Sequence, residues 1–379
     1  MYDVVVVGAG PSGSAAAREC ARAGLSTLCI EEHGAVGTPV QCAGLLSVSA
    51  FEECRVSPRA IRNRVRGARV VSSLGGVCAF DAGETKAVVV NRAILDREIA
   101  ERAAEAGAEF RLKTRVCGLS GTGVRTRGVG GAGEIACRMV IAADGVQSGI
   151  ARMQGLARSP VILSGMQAEM PLEQDPHLVE IHPDASPEFF GWKIPLGSDR
   201  VRVGLLGRQD IRSRFARVAP GATGSMVDLV IGAVPLGVMP RTYGRRTLFV
   251  GDAAGFPKPT SGGGVYTGVR SARHAAAVAV DCCEEDDFGG LADYERRWRD
   301  DFGRELEIGM RLFSLRQHLG PEQIDRILRA LDDPAVIRTI IERGDMDRPA
   351  ALVTALAAHP PLLRAAGTIF LAAVKNVFY

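Results

Sequence analysis

The sequence has almost no charge imbalance. Its 46 Lys and Arg against 43 Asp and Glu leave a formal net charge of +3, which removes the electrostatic case for a nucleic-acid partner. Long apolar runs are missing too. No stretch reaches the roughly 18 to 20 residues that a spanning helix needs, so nothing in the sequence is expected to cross a bilayer. The nine cysteines form no CxxC pair and no Cys/His cluster at metal spacing, so neither a metal site nor a disulfide framework is expected. Met1 runs straight into an apolar segment, without the charged and apolar regions of a secretion signal. These absences point to a cytoplasmic chain with reduced thiols, long enough for two or three packed units.

What is present begins at once. Residues 3 to 7, DVVVV, are an apolar β-branched run of the kind a parallel strand buried on both faces requires. GAGPSG follows, then a helix rich in alanine that ends near Gly24, then a second strand, STLCI. In this strand, turn, helix, strand unit Gly8 makes the turn, Gly10 lets a pyrophosphate approach the backbone, and Ser12 and Gly13 open a tightly packed helix. The N-terminus of that helix offers free N–H groups and partial positive charge to a phosphate. Glu31, 23 residues beyond Gly8, is placed to take a ribose hydroxyl pair, with Glu32 as a solvated neighbour or a partner in that contact. An acid there disfavours a 2′-phosphate, so NAD and FAD both qualify. The glycines at 128 to 134, GVGGAGE, precede a strand and read as a hairpin turn.

Farther along, the pattern alternates between two units. VRGARVV, VCAFDA and KAVVV read as antiparallel strands of another sheet. Asn91 caps a helix whose apolar positions are Ile94, Leu95, Ile99 and Ala103, and CRMVIAAD returns to the first unit. Residues 161 to 206 alternate again, and TLFVGDAAG and GGGVYTGVRSARHAAAVAV return once more as strand and helix. From about Leu291 to Tyr379 the chain reads as helical, with turns at Gly320-Pro321, Asp333-Pro334 and Pro360-Pro361. The expected division is 1–70, 91–158 and 241–290 for the nucleotide domain, 71–90 and 159–240 for the inserted sheet, and 291–379 for the helical region.

TLFVGDAAG and the later GGGV resemble the GD motif of FAD-dependent reductases and hydroxylases. That resemblance implies a Rossmann-type FAD-binding domain in an α/β chain, with an inserted antiparallel β-sheet substrate domain and a helical C-terminal region. It also implies that Asp252 contacts the ribityl chain and that the helix beginning near Gly263, Gly264 and Val265 aims its N-terminus at the flavin N1/C2 edge, where the reduced ring carries negative charge. IAADGVQSGIAR is similar to the DG motif of the same flavoproteins, with Asp144, Gly145, Ser148 and Arg152 at matching offsets. Arg92 stands where that fold places an arginine near the pyrophosphate, although a solvated helix-start arginine is the plain alternative. Val116 lies in the strand implied to contact adenine through its backbone.

Two further stretches, PVQCAGLLS and PEFFGWKIP, resemble the geranylgeranyl reductase family, which saturates isoprenoid double bonds with FAD. Cys42, Ala43 and Gly44 lie in the loop implied to pass the isoalloxazine, with Cys42 positioning the alkene or relaying a proton. Phe190, Trp192 and Pro195 fall on the strand implied to line the lipid pocket. Phe190 replaces the usual tyrosine, Ile194 the usual phenylalanine and Ala43 the usual glycine. Lys193, alternating with Trp192, is expected to be solvated. With one dinucleotide fold, NAD(P)H visits transiently or a protein such as ferredoxin supplies electrons. The apolar C-terminal end, with Arg364 and Lys375, reads as helix packing or as a peripheral membrane contact. The alternative reading is an FAD-dependent hydroxylase, which shares Asp144 and Asp252; an electron-transfer flavoprotein lacks its cysteine cluster here.

Overall fold

The computed structural model describes residues 1–219, 226, 228–360 and 362, so the apolar end with Arg364 and Lys375 lies outside the described residues. Six strands of an eight-stranded sheet, Tyr2–Val7 (β1), Thr27–Ile30 (β2), Glu109–Arg111 (β8), Gly131–Ala142 (β11), Tyr243–Gly244 (β17) and Thr247–Phe249 (β18), lie in the order β17-β18-β11-β1-β2-β8. β1 runs parallel to both β2 and β11, so Val5 lies between Leu28 and Val140. Val4, Val5 and Val6 are fully buried, as the unbroken β-branched run requires. Thr114–Leu119 (β9) and Gly123–Gly128 (β10) extend β11 as an antiparallel ribbon, and the glycine-rich turn at 128 to 131 is its hairpin.

A second, seven-stranded sheet stands in the order β16-β12-β15-β14-β13-β5-β6. Its strands are Asp228–Leu236, Val161–Pro171, Arg200–Gly207, Gly191–Pro195, Leu178–His182, Gly67–Val71 and Val77–Asp81 respectively. It is antiparallel except where β5 and β13 run parallel. That exception departs from the expected uniform alternation: the N–H groups of Arg66 and Gly67 both bond the His177 carbonyl, which brings β5 in level with the start of β13 and in the same direction. Leu45–Ser47 (β3), Ala87–Val90 (β7) and Ile61–Val65 (β4) make a third sheet in the order β3-β7-β4. The KAVVV segment thus separates from β5 and β6, and β7 is buried along its whole length.

Pro11–Arg22 (α1) and Val265–Glu285 (α6) pack against each other at the nucleotide sheet. Asn91 accepts the Ile94 N–H at 3.3 Å to start Arg92–Glu105 (α3). Leu95, Ile99 and Ala103 are fully buried there, whereas Ile94 is 40% exposed; successive helical residues diverge by about 100°, and the packed stripe takes the i, i+4, i+8 set. The remaining helices are Val48–Cys54 (α2), Gly149–Met153 (α4), Ile211–Val218 (α5), Asp293–Trp298 (α7), Arg304–Arg316 (α8), Pro321–Leu331 (α9), Pro334–Arg343 (α10) and Ala350–Leu356 (α11). Gly320 and Asp333 are the N-caps of α9 and α10, with proline at the first helical position of each. Among the described residues no helix is long and apolar enough to cross a membrane.

Candidate active site

The glycine turn closes between β1 and α1 as its sequence demands. Gly8 donates its N–H to Ile30 O at 2.8 Å, and a Cβ on Gly13 would stand 1.9 Å from Gly8 O. Gly10 differs. Its backbone is ordinary extended chain, φ −66° and ψ −179°, and a Cβ there would meet nothing within 4 Å, so the space beside it is a cradle open to a ligand. Glu31 reaches back to the same turn, its Oε2 accepting the Ala9 N–H at 2.8 Å and its Oε1 the His33 N–H at 2.9 Å. Glu32 is 53% exposed, 3.7 Å from Arg115. The Thr114 N–H bonds Glu31 O at 2.9 Å, which sets β9 and buried Val116 next to this acid.

The second motif folds against the first. Cβ atoms on Gly251 and Gly268 would lie 2.4 Å and 2.3 Å from Ser12 Oγ, so the starts of α1 and α6 converge on the strand end that carries Asp252. Gly264 caps α6 without a side chain, and Asp252 Oδ1 lies 3.0 Å from where its Cβ would be. No donor among the described residues hydrogen-bonds the Asp252 carboxylate. Burial pushes that carboxyl up to about 6, against the pull of Arg92. An open cradle at one end and an unpartnered acceptor at the other fit the phosphates and the ribityl hydroxyls of FAD. Because the folded pKa lies above the ordinary 3.8, the apo fold loses stability as pH rises from about 4 to about 6 and stays lowered beyond. Asp252→Asn is therefore expected to raise the melting temperature of the apoprotein above about pH 6 while weakening FAD binding; calorimetry on either side of that pH, with and without FAD, checks both signs.

Asp144 is used differently. Its Oδ1 accepts the Ser148 hydroxyl at 2.8 Å and its Oδ2 the Ile150 N–H at 3.0 Å, so the carboxylate organises the start of α4. The adjoining Ala143 carbonyl packs on Gly8. Arg92 is not the solvated arginine of the plain alternative. It is 12% exposed and forked onto Asp96 at 2.9 and 3.0 Å. Burial alone would lower its pKa, but Asp96 and the Cys42 sulfur, which it also contacts, outweigh this and hold the guanidinium charged.

The Cys42 loop crosses from this cluster to the large sheet. Cys42 is half-buried, with Sγ accepting the Gly44 N–H at 3.3 Å; seven of the other cysteines are buried and Cys117 is exposed. Gln167 on β12 donates to Cys42 O at 3.3 Å and accepts the Trp192 indole N–H at 3.2 Å. Arg202 on β15 donates to Ala43 O at 2.6 Å and to Glu169 Oε1 at 2.6 and 3.1 Å. The Trp192 ring lies across Gly204, where a Cβ would be 2.5 Å away. Phe190 is half-buried, stacked on buried Phe189 at 4.4 Å and edge-on to Trp192 at 6.3 Å. The turn before α6 rests on the same wall, since a Cβ on Gly262 would be 3.2 Å from Leu206 and 3.7 Å from Phe189.

Pro195 lies at the far end of β14, roughly 10 Å along the strand from Trp192, with its carbonyl bonded to Asn63 at 3.0 Å. Lys193 is not solvated: it pairs with Glu180 across the strands at 2.7 Å and is 19% exposed. Gln167 and Arg202, which hold the Cys42 loop, carry no local signal, because their partners lie 125 and 159 residues away in the chain.

Residues 1–162 match the FAD binding domain family. Over 353 residues the chain is 36% identical to digeranylgeranylglycerophospholipid reductase 2 of Methanothermobacter thermautotrophicus, covering 87% of this chain and 92% of that protein. The chain belongs to the digeranylgeranylglycerophospholipid reductase family. A solved member-like structure, a geranylgeranyl bacteriochlorophyll reductase-like protein of Thermoplasma acidophilum, superposes with a TM-score of 0.85 at 26% identity, over 97% of this chain and 99% of that one. p-Nitrophenol 4-monooxygenase of Pseudomonas putida shares the fold with the reductase family, at a TM-score of 0.72 and 18% identity over 90% of this chain and 97% of that one. At that identity the likeness extends to fold alone.

Proposed function

We propose that this chain is an FAD-dependent reductase that saturates carbon-carbon double bonds in the geranylgeranyl chains of a glycerophospholipid, in archaeal-type ether lipid synthesis. The observation that carries the reading is the Gln167 bridge, which ties the aromatic wall at Trp192 to the backbone of the Cys42 loop beside Arg92 and Asp252. When bound, FAD supplies hydride-equivalent reducing power to one alkene carbon. Gly10, Ser12, Glu31, Arg92 and Asp252 would hold it, with Asp144 supporting the site through the start of α4, Val116 beside the adenine and Gly263, Gly264 and Val265 at the ring.

The chain's own residues do the rest. Phe190 and Trp192 give a prenyl chain an apolar surface, each buried CH₂ contributing roughly 0.8 kcal/mol. An isolated alkene is a poor electrophile, so alignment dominates; Cys42 fixes the alkene or gives a proton to the second carbon. Arg92 then opposes the charge left on sulfur. Electrons come from NAD(P)H visiting transiently or from a ferredoxin-like protein, and the lipid is drawn from a membrane that the protein touches peripherally.

The test is anaerobic. The purified protein is expected to carry FAD, and the chemically reduced enzyme to convert digeranylgeranylglyceryl phospholipid to species heavier by one hydrogen pair per double bond, read by mass spectrometry. Consumption of oxygen coupled to an aromatic acid, with the lipid untouched, would overturn the reading in favour of a hydroxylase.

A further inference from the structure

Two buried charges meet behind the turn that leads into α6. Lys258 is 6% exposed and Asp347 is 2% exposed. The Lys258 backbone closes the turn: its N–H bonds Gly263 O at 3.1 Å, and its carbonyl accepts the N–H groups of Gly262 at 2.8 Å and Ser261 at 3.2 Å. Its ammonium donates to Met346 O at 2.7 Å and pairs with Asp347 Oδ1. The same ammonium lies 3.8 Å from where a side chain on Gly263 would begin.

Asp347 spends its other oxygen on the opposite side of the site. Oδ2 accepts the Ser47 hydroxyl and the Ser49 hydroxyl, the latter at 3.0 Å, and Ser47 ends the strand that begins just after the Cys42 loop. The ion pair therefore stands between the two loops implied to frame the isoalloxazine. Taking two charges out of water is costly, and an apolar pair of similar size could brace the loops without that cost. The charges call for a function beyond bracing. Bound as the flavin reading implies, the reduced ring would turn its negative edge toward the start of α6, and a cation behind Gly263 would add to the field of the helix N-terminus there.

We infer that Lys258 stabilises reduced FAD over oxidised FAD through its charge, and that Asp347 sets how much of that charge reaches the ring. The inference rests on the flavin reading above. The other charged groups nearby are Asp345, whose Oδ1 accepts the Asp347 N–H at 2.7 Å, Arg348, paired with Asp301 at 3.3 Å, and Asp252 at the start of α6; all of them stay unchanged in the variants below.

Lys258→Met and Asp347→Asn both break the pair, yet they change the local charge in opposite directions. Reduction of the bound flavin is followed against a reference dye in the same buffer for every variant. Lys258→Met is expected to lower the ratio of reduced to oxidised FAD affinity about tenfold, a two-electron midpoint about 30 mV more negative. Asp347→Asn is expected to raise that ratio by a similar factor, and Lys258→Arg to stay near wild type. Shifts of the same sign in Lys258→Met and Asp347→Asn, or no shift, would leave the pair a structural brace and overturn the inference. If Lys258→Met does not retain FAD, the absence of a rise in Asp347→Asn alone overturns it. Wild-type protein that binds no FAD would overturn the flavin reading itself, whereas FAD bound at unmoved potentials overturns only the role of the pair.

Discussion

Cys42→Ser slows lipid reduction by roughly 100-fold and leaves FAD affinity at the wild-type level. The expectation comes from what each neighbour of the sulfur would keep. A serine hydroxyl still accepts the Gly44 N–H that Sγ accepts at 3.3 Å, and the loop carbonyls stay bound to Gln167 and Arg202, so the loop holds its place. What is lost is the polarisable sulfur beside the Arg92 guanidinium. Cys42→Ala should slow the reaction as much and loosen the loop as well. Anaerobic stopped-flow reoxidation of the reduced enzyme by lipid isolates the step, because neither electron donor nor product release enters it. Reoxidation at the wild-type rate would remove the thiol from the chemistry, and loss of FAD would assign Cys42 to the cofactor cradle. Cys117→Ser is the control, since that thiol is exposed on the ribbon of β9. The buried thiols of Cys20, Cys29 and Cys54 are poor controls: desolvation raises their pKa strongly, and they serve as small core residues.

The parts of this site that were legible in the sequence are those whose partners lie close along the chain. GAGPSG and Glu31 are one βαβ unit, and short-range sterics dictate the turn. Asn91 capping α3 and the 128 to 131 hairpin are likewise local. Alternation alone puts Trp192 and Lys193 on opposite faces, but it does not show that Lys193 is paired instead of solvated, because Glu180 is supplied by the neighbouring strand 13 residues earlier. Arg92 is ambiguous in the sequence for the same reason: the helix start alone does not show that Cys42 and Asp252 come close to it. Gln167, Arg202 and Asp347 carry no local signal, being polar residues on a strand or in a turn whose meaning arises only when segments 89 to 300 residues apart meet.

Gly10 and Gly13 stand three residues apart in one motif, and alanine at each should fail for opposite reasons. A Cβ at Gly13 would be 1.9 Å from Gly8 O, a backbone atom that cannot turn aside. Gly13→Ala must therefore push α1 off the turn, costing about 3 kcal/mol of folding stability with or without FAD. At Gly10 the backbone is one that any residue adopts, and the added methyl meets nothing. Gly10→Ala is therefore expected to melt with the wild-type apoprotein and to bind FAD roughly 100-fold more weakly, about 2.7 kcal/mol, because the methyl occupies the approach of the pyrophosphate. Denaturant unfolding of the apoproteins and fluorescence titration with FAD separate the two effects. Wild-type affinity in Gly10→Ala would mean that the phosphates pass elsewhere, and the contact between Ser12 and Gly251 would then have to be explained by helix packing alone.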